Sequence, residues 1–319
     1  MKVTERTLLL GASGLVGQAF QRKWQSAAEV SLTTPAHLEL DLISQAAVSE
    51  FLGRIQPAQV ILAAAKVGGI QANSQFPAEF IYENLMIETN VIHQAWQHGV
   101  MDLLFFGSTC MYPRLCAQPM RESELLSGRL EPTNEPYALA KLAGWKLCES
   151  YNRQYGTRYR TVLPTNLYGP HDNFHPVHSH VVPALLQRFH MAKEEGLPFV
   201  EIWGSGNAKR EFLFVDDLVE ACQFLGDCPE EQGPINIGSK QEVSIRELAE
   251  TVREVVDYSG ELVFDKSKPD GMPLKKVDTS QLDQLGWHST TSLQVGLEKT
   301  YAWYLQQLKL PSSERTLRS

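Results

Sequence analysis

The sequence predicts an α/β protein built on a doubly wound parallel sheet, with a smaller α/β lobe toward its C terminus. Three observations carry that expectation. The first half alternates short apolar runs with longer amphipathic ones, a glycine-rich turn follows the first run directly, and the second half loses this regularity among Pro- and Gly-rich loops. Strict strand–helix alternation implies parallel strands, because each crossover helix returns the chain to the same sheet and covers one of its faces. At 319 residues, the chain exceeds what one compact core holds, so two closely joined lobes are expected.

The elements follow from periodicity. Thr7–Leu10, Val30–Thr34, Val60–Ala64, Leu103–Gly107 and Tyr159–Pro164 read as buried strands, each bounded by Gly, Pro or polar residues. Leu15–Ser26, Ala46–Ile55, Ala78–His98 and Tyr137–Gln154 have helical spacing between them. Further on, Val181–Ala192, Asp217–Leu225, Ile245–Asp257 and Leu293–Leu308 read as helices, with short strands at Ile235–Ile237 and Glu261–Phe264. No internal repeat or low-complexity segment interrupts them, and Pro311–Ser319 reads as a loose polar tail.

Composition narrows the function classes. A net charge of −8 argues against a nucleic-acid partner, because phosphate backbones are gripped by clustered Lys and Arg. A small anionic substrate stays open, since a few local cations override the global sign. No apolar run approaches the roughly 20 residues of a membrane span, and the opening MKVTERTLLLGASG is too briefly apolar for a signal peptide. Cysteines 110, 116, 148, 222 and 228 are odd in number and show no disulfide spacing. A reduced, cytoplasmic protein is expected.

Gly11-Ala12-Ser13-Gly14-Leu15-Val16-Gly17 places Gly-x-x-Gly-x-x-Gly between the first strand and the first helix. Such glycines allow a tight turn, close approach of a pyrophosphate and close strand–helix packing, while the helix N terminus faces the phosphate charge. A dinucleotide cofactor is therefore expected on a lobe spanning 1–170, to which a later segment near 211–240 returns. Residues 171–319 would mainly bind substrate. Asp41-Leu42 lies just past the second strand, where a side chain reaches an adenine or simply stands in solvent. Ala63-Ala64-Ala65 ends the third strand with small residues that suit either a cofactor or plain packing.

Tyr137-Ala-Leu-Ala-Lys141 sets a phenol and an ammonium on one helix face. A nearby cation stabilises phenolate, so Lys141 is expected to lower the Tyr137 pKa and make it a proton donor to an alkoxide. Ser108, in Phe106-Gly107-Ser108-Thr109, ends the fourth strand, and a hydroxyl there points into the crevice where open α/β sheets bind ligands. Glycine turn, strand-end serine and Tyr–Lys helix together read as a nicotinamide-dependent dehydrogenase or reductase.

At these residues the chain resembles the extended short-chain dehydrogenase/reductase family, whose lobe is of the Rossmann type. Within that family it is similar to the branch that makes GDP-L-fucose. The specific segments are Ala64–Ile70, Gly107–Pro113, Glu131–Tyr137, Pro164–Pro176, Ser179–Val181, Trp203–Gly206 and Arg210–Phe212. The resemblance implies conversion of GDP-4-keto-6-deoxy-D-mannose by inversion at C3 and C5 and NADPH-dependent reduction at C4. A C4 ketone acidifies the C–H bonds beside it, and inversion needs a base on one ring face and an acid on the other. Cys110 and His180 take those places by the resemblance, while Tyr137, Ser108 and Lys141 serve the reduction. The implied cofactor site draws on Gly11–Gly17, Asp41, Leu42, Ala63, Ala64, Ala65, Phe106, Gly107, Ser108, Thr109, Lys141, Pro164, Thr165, Asn166, Leu167 and His180. Arg188, Trp203, Arg210 and Asp270 would contact the nucleotide diphosphate-sugar, and arginine suits pyrophosphate through its paired donors. A homodimer through the helices near Ala78–His98 and Tyr137–Gln154 is implied as well.

Two departures and three alternatives complete the reading. Family members selective for NADP carry an Arg just past the second strand, where this chain has Thr33-Thr34-Pro35-Ala36-His37. NADPH remains the implied cofactor, with NADH the alternative. Val177-His178 sets an extra imidazole beside the Ser179-His180 pair. His171, His175, His178 and His180 are dense enough to suggest metal, but no Cys or carboxylate at ligand spacing completes a set, so no metal is expected. A synthase of the GDP-colitose type, inverting only C5 of a 3-deoxy sugar, would keep the same residues. A non-catalytic, redox-sensing nicotinamide module is the alternative of another class.

Overall fold

A computed structural model describes residues 6–25, 31–175, 179–228, 233–268 and 270–311. Ser26 and Val30, at the ends of expected elements, lie outside them, as do Val177, His178 and most of the polar tail. In chain order the first part runs β1 (Thr7–Leu10), α1 (Leu15–Gln25), β2 (Leu32–Thr33), α2 (Gln45–Ile55), β3 (Gln59–Leu62), α3 (Ile70–Gln75), α4 (Pro77–Gln97), β4 (Asp102–Phe106), α5 (Glu135–Tyr155) and β5 (Arg158–Pro164). The second runs β6 (Asn166–Tyr168), α6 (Val181–Glu195), β7 (Phe199–Trp203), β8 (Lys209–Phe214), α7 (Val215–Gly226), β9 (Ile235–Ile237), β10 (Glu242–Ser244), α8 (Ile245–Val256), β11 (Glu261–Asp265), β12 (Leu274–Lys275), α9 (Ser280–Leu285) and α10 (Leu293–Lys309).

Six strands form one parallel sheet in the order β2-β1-β3-β4-β5-β9. Successive strand side chains point to opposite faces, and here both faces are covered. Leu8, Leu10, Val60, Leu62, Leu103 and Phe105 join a core with α2, α4 and α5. Leu9, Ile61, Leu104 and Phe106 join another with α1 and α7. That two-sided burial is why the strands read as unbroken apolar runs. The architecture is the expected Rossmann-like doubly wound sheet. Strand order reverses at β1, so the crevice for a ligand opens beyond the C-terminal ends of β1 and β3.

The second lobe surrounds a third core. Leu185 and Phe189 of α6, Leu248 and Val252 of α8, and Leu297 and Tyr304 of α10 close over Ile202 and Phe212. β8 runs parallel to β6 and β12 and antiparallel to β10, while β7 and β11 form a separate parallel pair. Meanwhile α7 and β9 pack on the main sheet, so the chain crosses between lobes more than once. Glu211 on β8 helps hold the crossing together. Its carboxylate accepts the N–H of Lys240 at 2.7 Å and of Val277 at 3.0 Å. Burial pushes this acid up, against the pull of those N–H bonds.

The elements that periodicity missed, among them α3, β6, β10, β12 and α9, span six residues or fewer. So short a run fits neither a 2-residue nor a 3.6-residue repeat decisively. Among the described residues, no helix is long and apolar enough to cross a membrane. All five cysteines are free.

Candidate active site

The glycine turn is built as its spacing requires. Gly11 has φ +88°, which L side chains rarely adopt, and a Cβ there would lie 2.5 Å from the backbone nitrogen of Ala64. A Cβ at Gly17 would collide with the backbone of Gly11 and Ala12. Gly14 differs, because a Cβ there meets only Gly11 O at 3.6 Å, so the space above it is open. The first intrahelical bond of α1 runs from Gln18 N to Gly14 O at 2.9 Å, which leaves the N–H groups of Leu15, Val16 and Gly17 as donors toward that space. An eleven-residue helix adds its positive end. These residues fit the pyrophosphate of a dinucleotide. Ser13 is exposed at the rim, and Ala63-Ala64-Ala65 passes beneath, with Ala63 N bonded to Leu10 O at 2.9 Å.

Asp41 is exposed and spends one oxygen on the N–H of Ile43 at 2.9 Å. Leu42 packs partly against the first core. Its carbonyl and that of Ile43 accept the Asn90 amide at 3.0 and 2.8 Å. At the far side of the sheet, Pro164 ends β5, Thr165 N bonds Ile237 O at 2.9 Å, and Asn166 Nδ2 donates to Glu211 O at 2.8 Å. Leu167 packs on the same core as Ala12, Leu15 and Val16.

The end of β4 gathers the reactive groups. Gly107 follows Phe106, and a Cβ there would strike Leu163 at 2.5 Å and Met111 Sδ at 2.8 Å. The chain then turns at once. Thr109–Met111 is a single 3-10 turn, capped by Ser108 Oγ accepting Cys110 N at 3.2 Å. Cys110 is therefore placed by a tight turn and not by an extended strand end. Asn134, at the entrance of α5, donates from Nδ2 to Cys110 Sγ at 3.0 Å. One turn into the same helix, the Tyr137 side chain hydrogen-bonds that of Ser108.

The electrostatics correct a second expectation. The Tyr137 pKa is raised, not lowered. Burial is the largest cause, followed by the charges of Cys110 and Glu88, with the Ser108 hydrogen bond working the other way. Lys141 is not among the groups that lower it. Its ammonium does not act freely on the phenol, because Nζ sits 2.9 Å from Glu88 Oε1 on α4. It also lies 4.7 Å from the centre of the Phe105 ring and 5.9 Å from that of Tyr137.

His180 stands just before α6, exposed, with protein crowding its ring enough to lower its pKa by desolvation. Desolvation is the one cause of that shift among the described residues. His178 lies outside them. The His171 ring lies 4.7 Å from that of Trp303.

Arg188, Trp203, Arg210 and Asp270 gather on the second lobe. Trp203 is 59% exposed, with the Arg188 guanidinium 5.6 Å and the Lys268 ammonium 5.5 Å from its ring centre. Asp270 accepts from Ser205 N at 2.6 Å and Ser205 Oγ at 2.8 Å, and these bonds lower its pKa. Arg210 Nη1 donates to the carbonyls of Lys209 and Met272 at 2.7 and 2.6 Å, and burial lowers its pKa. Sequence reasoning missed Lys268, Asn134 and Glu88 as members of these sites. For Glu88 a signal existed: it lies on the apolar stripe of α4 with Val91, Ile92 and Ala95, and a charge there demands a partner.

Fold and site together define a dinucleotide-binding α/β enzyme of the Rossmann-like class. Residues 7–238 match the NAD dependent epimerase/dehydratase family. The chain is 53% identical to GDP-L-fucose synthase of Escherichia coli (strain K12) over 311 residues, covering 95% of this chain and 97% of the relative. It is 37% identical to GDP-L-colitose synthase of Yersinia pseudotuberculosis, covering 95% of this chain and 98% of that one. Among solved structures, a GDP-mannoheptose C4 reductase from Campylobacter jejuni with NADP bound superposes with a TM-score of 0.88 at 37% identity, covering 96% of this chain and 99% of the other. The chain belongs to the NAD dependent epimerase/dehydratase family.

Proposed function

We propose that the chain is a GDP-L-fucose synthase, which inverts C3 and C5 of GDP-4-keto-6-deoxy-D-mannose and then reduces C4. The observation that carries this reading is the meeting of two chemistries at the end of β4. The Tyr137–Ser108 hydrogen bond and the Asn134-held Cys110 thiol share one wall of the crevice. A plain reductase needs only the first of them. Several relatives named GDP-L-fucose synthase, at 47% to 54% identity, are more similar to this chain than the colitose enzyme at 37%, which favours the fucose branch.

NADPH, when bound on the glycine turn, supplies the hydride that reduces C4. The chain's residues do the rest. Cys110 removes the proton acidified by the C4 ketone, with the Asn134 amide stabilising its thiolate, and His180 returns a proton to the opposite ring face. Ser108 holds the C4 oxygen, and Tyr137 hands it a proton as negative charge develops. Lys141 holds the nicotinamide ribose. Around Trp203, Arg188 and Arg210 take the diphosphate and Asp270 the nucleotide end. The enzyme works as a homodimer through α4 and α5, which expose Tyr82, Leu139 and Tyr155. It resides in the cytoplasm, as suits five free cysteines.

Turnover of GDP-4-keto-6-deoxymannose in deuterated water, with NADPH and NADH compared, tests the proposal. Deuterium at both C3 and C5 with preferential oxidation of NADPH is expected. Label at C5 alone would favour the colitose-type reaction, and label at neither carbon would remove the epimerase activity.

A further inference from the structure

Glu88 sits on the inward stripe of α4, where its side chain is 1% exposed and that of Lys141 is 3% exposed. No other group bonds either carboxylate oxygen among the described residues. Oε2 is aimed at Gly144 of α5, where a Cβ would lie 2.6 Å from it and 2.5 Å from the Phe105 ring. That bare Cα is what lets α4 and α5 close around the pair. A buried carboxylate or ammonium left alone gives up its charge, and a matched pair keeps both. Burial does push Glu88 up, while Lys141 pulls it back.

We propose that Glu88 is a positioning residue for the reduction: its carboxylate anchors the Lys141 ammonium beneath Tyr137 and balances the pull of that ammonium on the phenol. It thereby sets the pH range over which Tyr137 delivers its proton. The inference rests on the assignment of Tyr137 and Lys141 to the reduction. The groups facing Tyr137 are Ser108 and Cys110 from the turn after β4, Glu88 from α4 and Lys141 from its own helix. Cys148, also on α5, faces the ion pair. Burial and then the Cys110 charge do most to hold the phenol proton on, and the Glu88 charge adds to them. Glu88→Gln keeps the size and removes the charge. An ammonium that persists then acts unopposed and acidifies Tyr137. One that sheds its proton no longer supports the phenol or the ribose. Both outcomes move the alkaline limb of the reduction to lower pH.

The experiment compares three readouts in Glu88→Gln: the pH profile of kcat/KM for NADPH oxidation, NADP binding by tryptophan quenching, and deuterium exchange without NADPH. The alkaline limb should fall by about one pH unit or more, and reduction at pH values above that limb by about tenfold. NADP binding should weaken as pH rises. Exchange, which uses Cys110 and His180, should stay within about twofold. Glu88→Asp should restore the position of the limb. An unmoved limb, or exchange lost in proportion to reduction, overturns the proposal. If Glu88→Gln does not fold, the neutral pair Glu88→Gln with Lys141→Met replaces it, since swapping a whole buried ion pair is well tolerated. That double variant should reduce substrate no more slowly than Lys141→Met alone, and a further loss overturns the proposal. Full reduction by Lys141→Met would instead remove the assignment on which it rests.

Discussion

The junction of β4, α4 and α5 and the face around Trp203 are built on opposite principles. At the junction, Lys141 and Glu88 are almost fully buried, Ser108 and Cys110 are placed by a turn that follows a glycine with no room for a side chain, and Tyr137 is placed by α5. Around Trp203, an aromatic ring stands in solvent between two cations, and the loops beside it are tied by Ser205 to Asp270. The difference suits the role proposed for each. Proton transfer tolerates little displacement and gains from low dielectric. Capture of a charged nucleotide needs an open approach, and exposed charges cost little to keep ready. Losses at the junction should therefore appear in the rate, and losses at the face in substrate affinity.

The largest expected effect tests the junction. Tyr137→Phe removes the proton donor and should lower reduction by about 10³-fold, the range typical of a lost general acid. Deuterium exchange into substrate should persist, because Cys110 and His180 are untouched. Loss of both in a folded variant would mean that the two chemistries are not separable. Next in size, Cys110→Ser should cut exchange by about 10²-fold, since an alcohol is a far weaker base than a thiolate. Reduction of a substrate that needs no inversion should change little. Normal exchange in that variant would take Cys110 out of the mechanism.

How much of this was legible beforehand depends on what kind of information each feature needs. The buried strands were readable because two-sided burial leaves an unbroken apolar run, and the glycine turn because its spacing is local. Cys110 was readable as a candidate, yet its route to the crevice was not: nothing local distinguishes an extended strand end from the 3-10 turn over Thr109–Met111. The Tyr137 shift came out opposite in sign because its largest cause is burial, which helix spacing does not encode. Helix spacing alone brings Lys141 to Tyr137, but the carboxylate that engages Lys141 arrives from α4, a separate element. The face around Trp203 depends on loops after β7, β11 and before β12, whose meeting no single segment encodes.

At the face, Trp203→Ala should raise KM about tenfold and leave kcat within about twofold, as expected for an interaction made equally with substrate and transition state. A fall in kcat instead would show that the face orients the sugar for reaction and would blur the contrast with the junction.

Asp270 gives the smallest and most discriminating effect. Both its oxygens are taken up by Ser205, and Gly204, at φ +86°, leaves room for them where a Cβ would intrude on Oδ1. On this geometry Asp270 acts first as a tie between two loops and only then as a contact for the nucleotide. Asn at this position keeps an acceptor for Ser205 N–H, so Asp270→Asn should raise KM by about threefold or less, whereas Asp270→Ala, which drops the tie, should raise it further. Equal losses in the two variants would mean that the carboxylate charge itself meets the substrate. KM measured at two ionic strengths checks this, because a charge contact in this exposed setting weakens with salt and a loop tie does not.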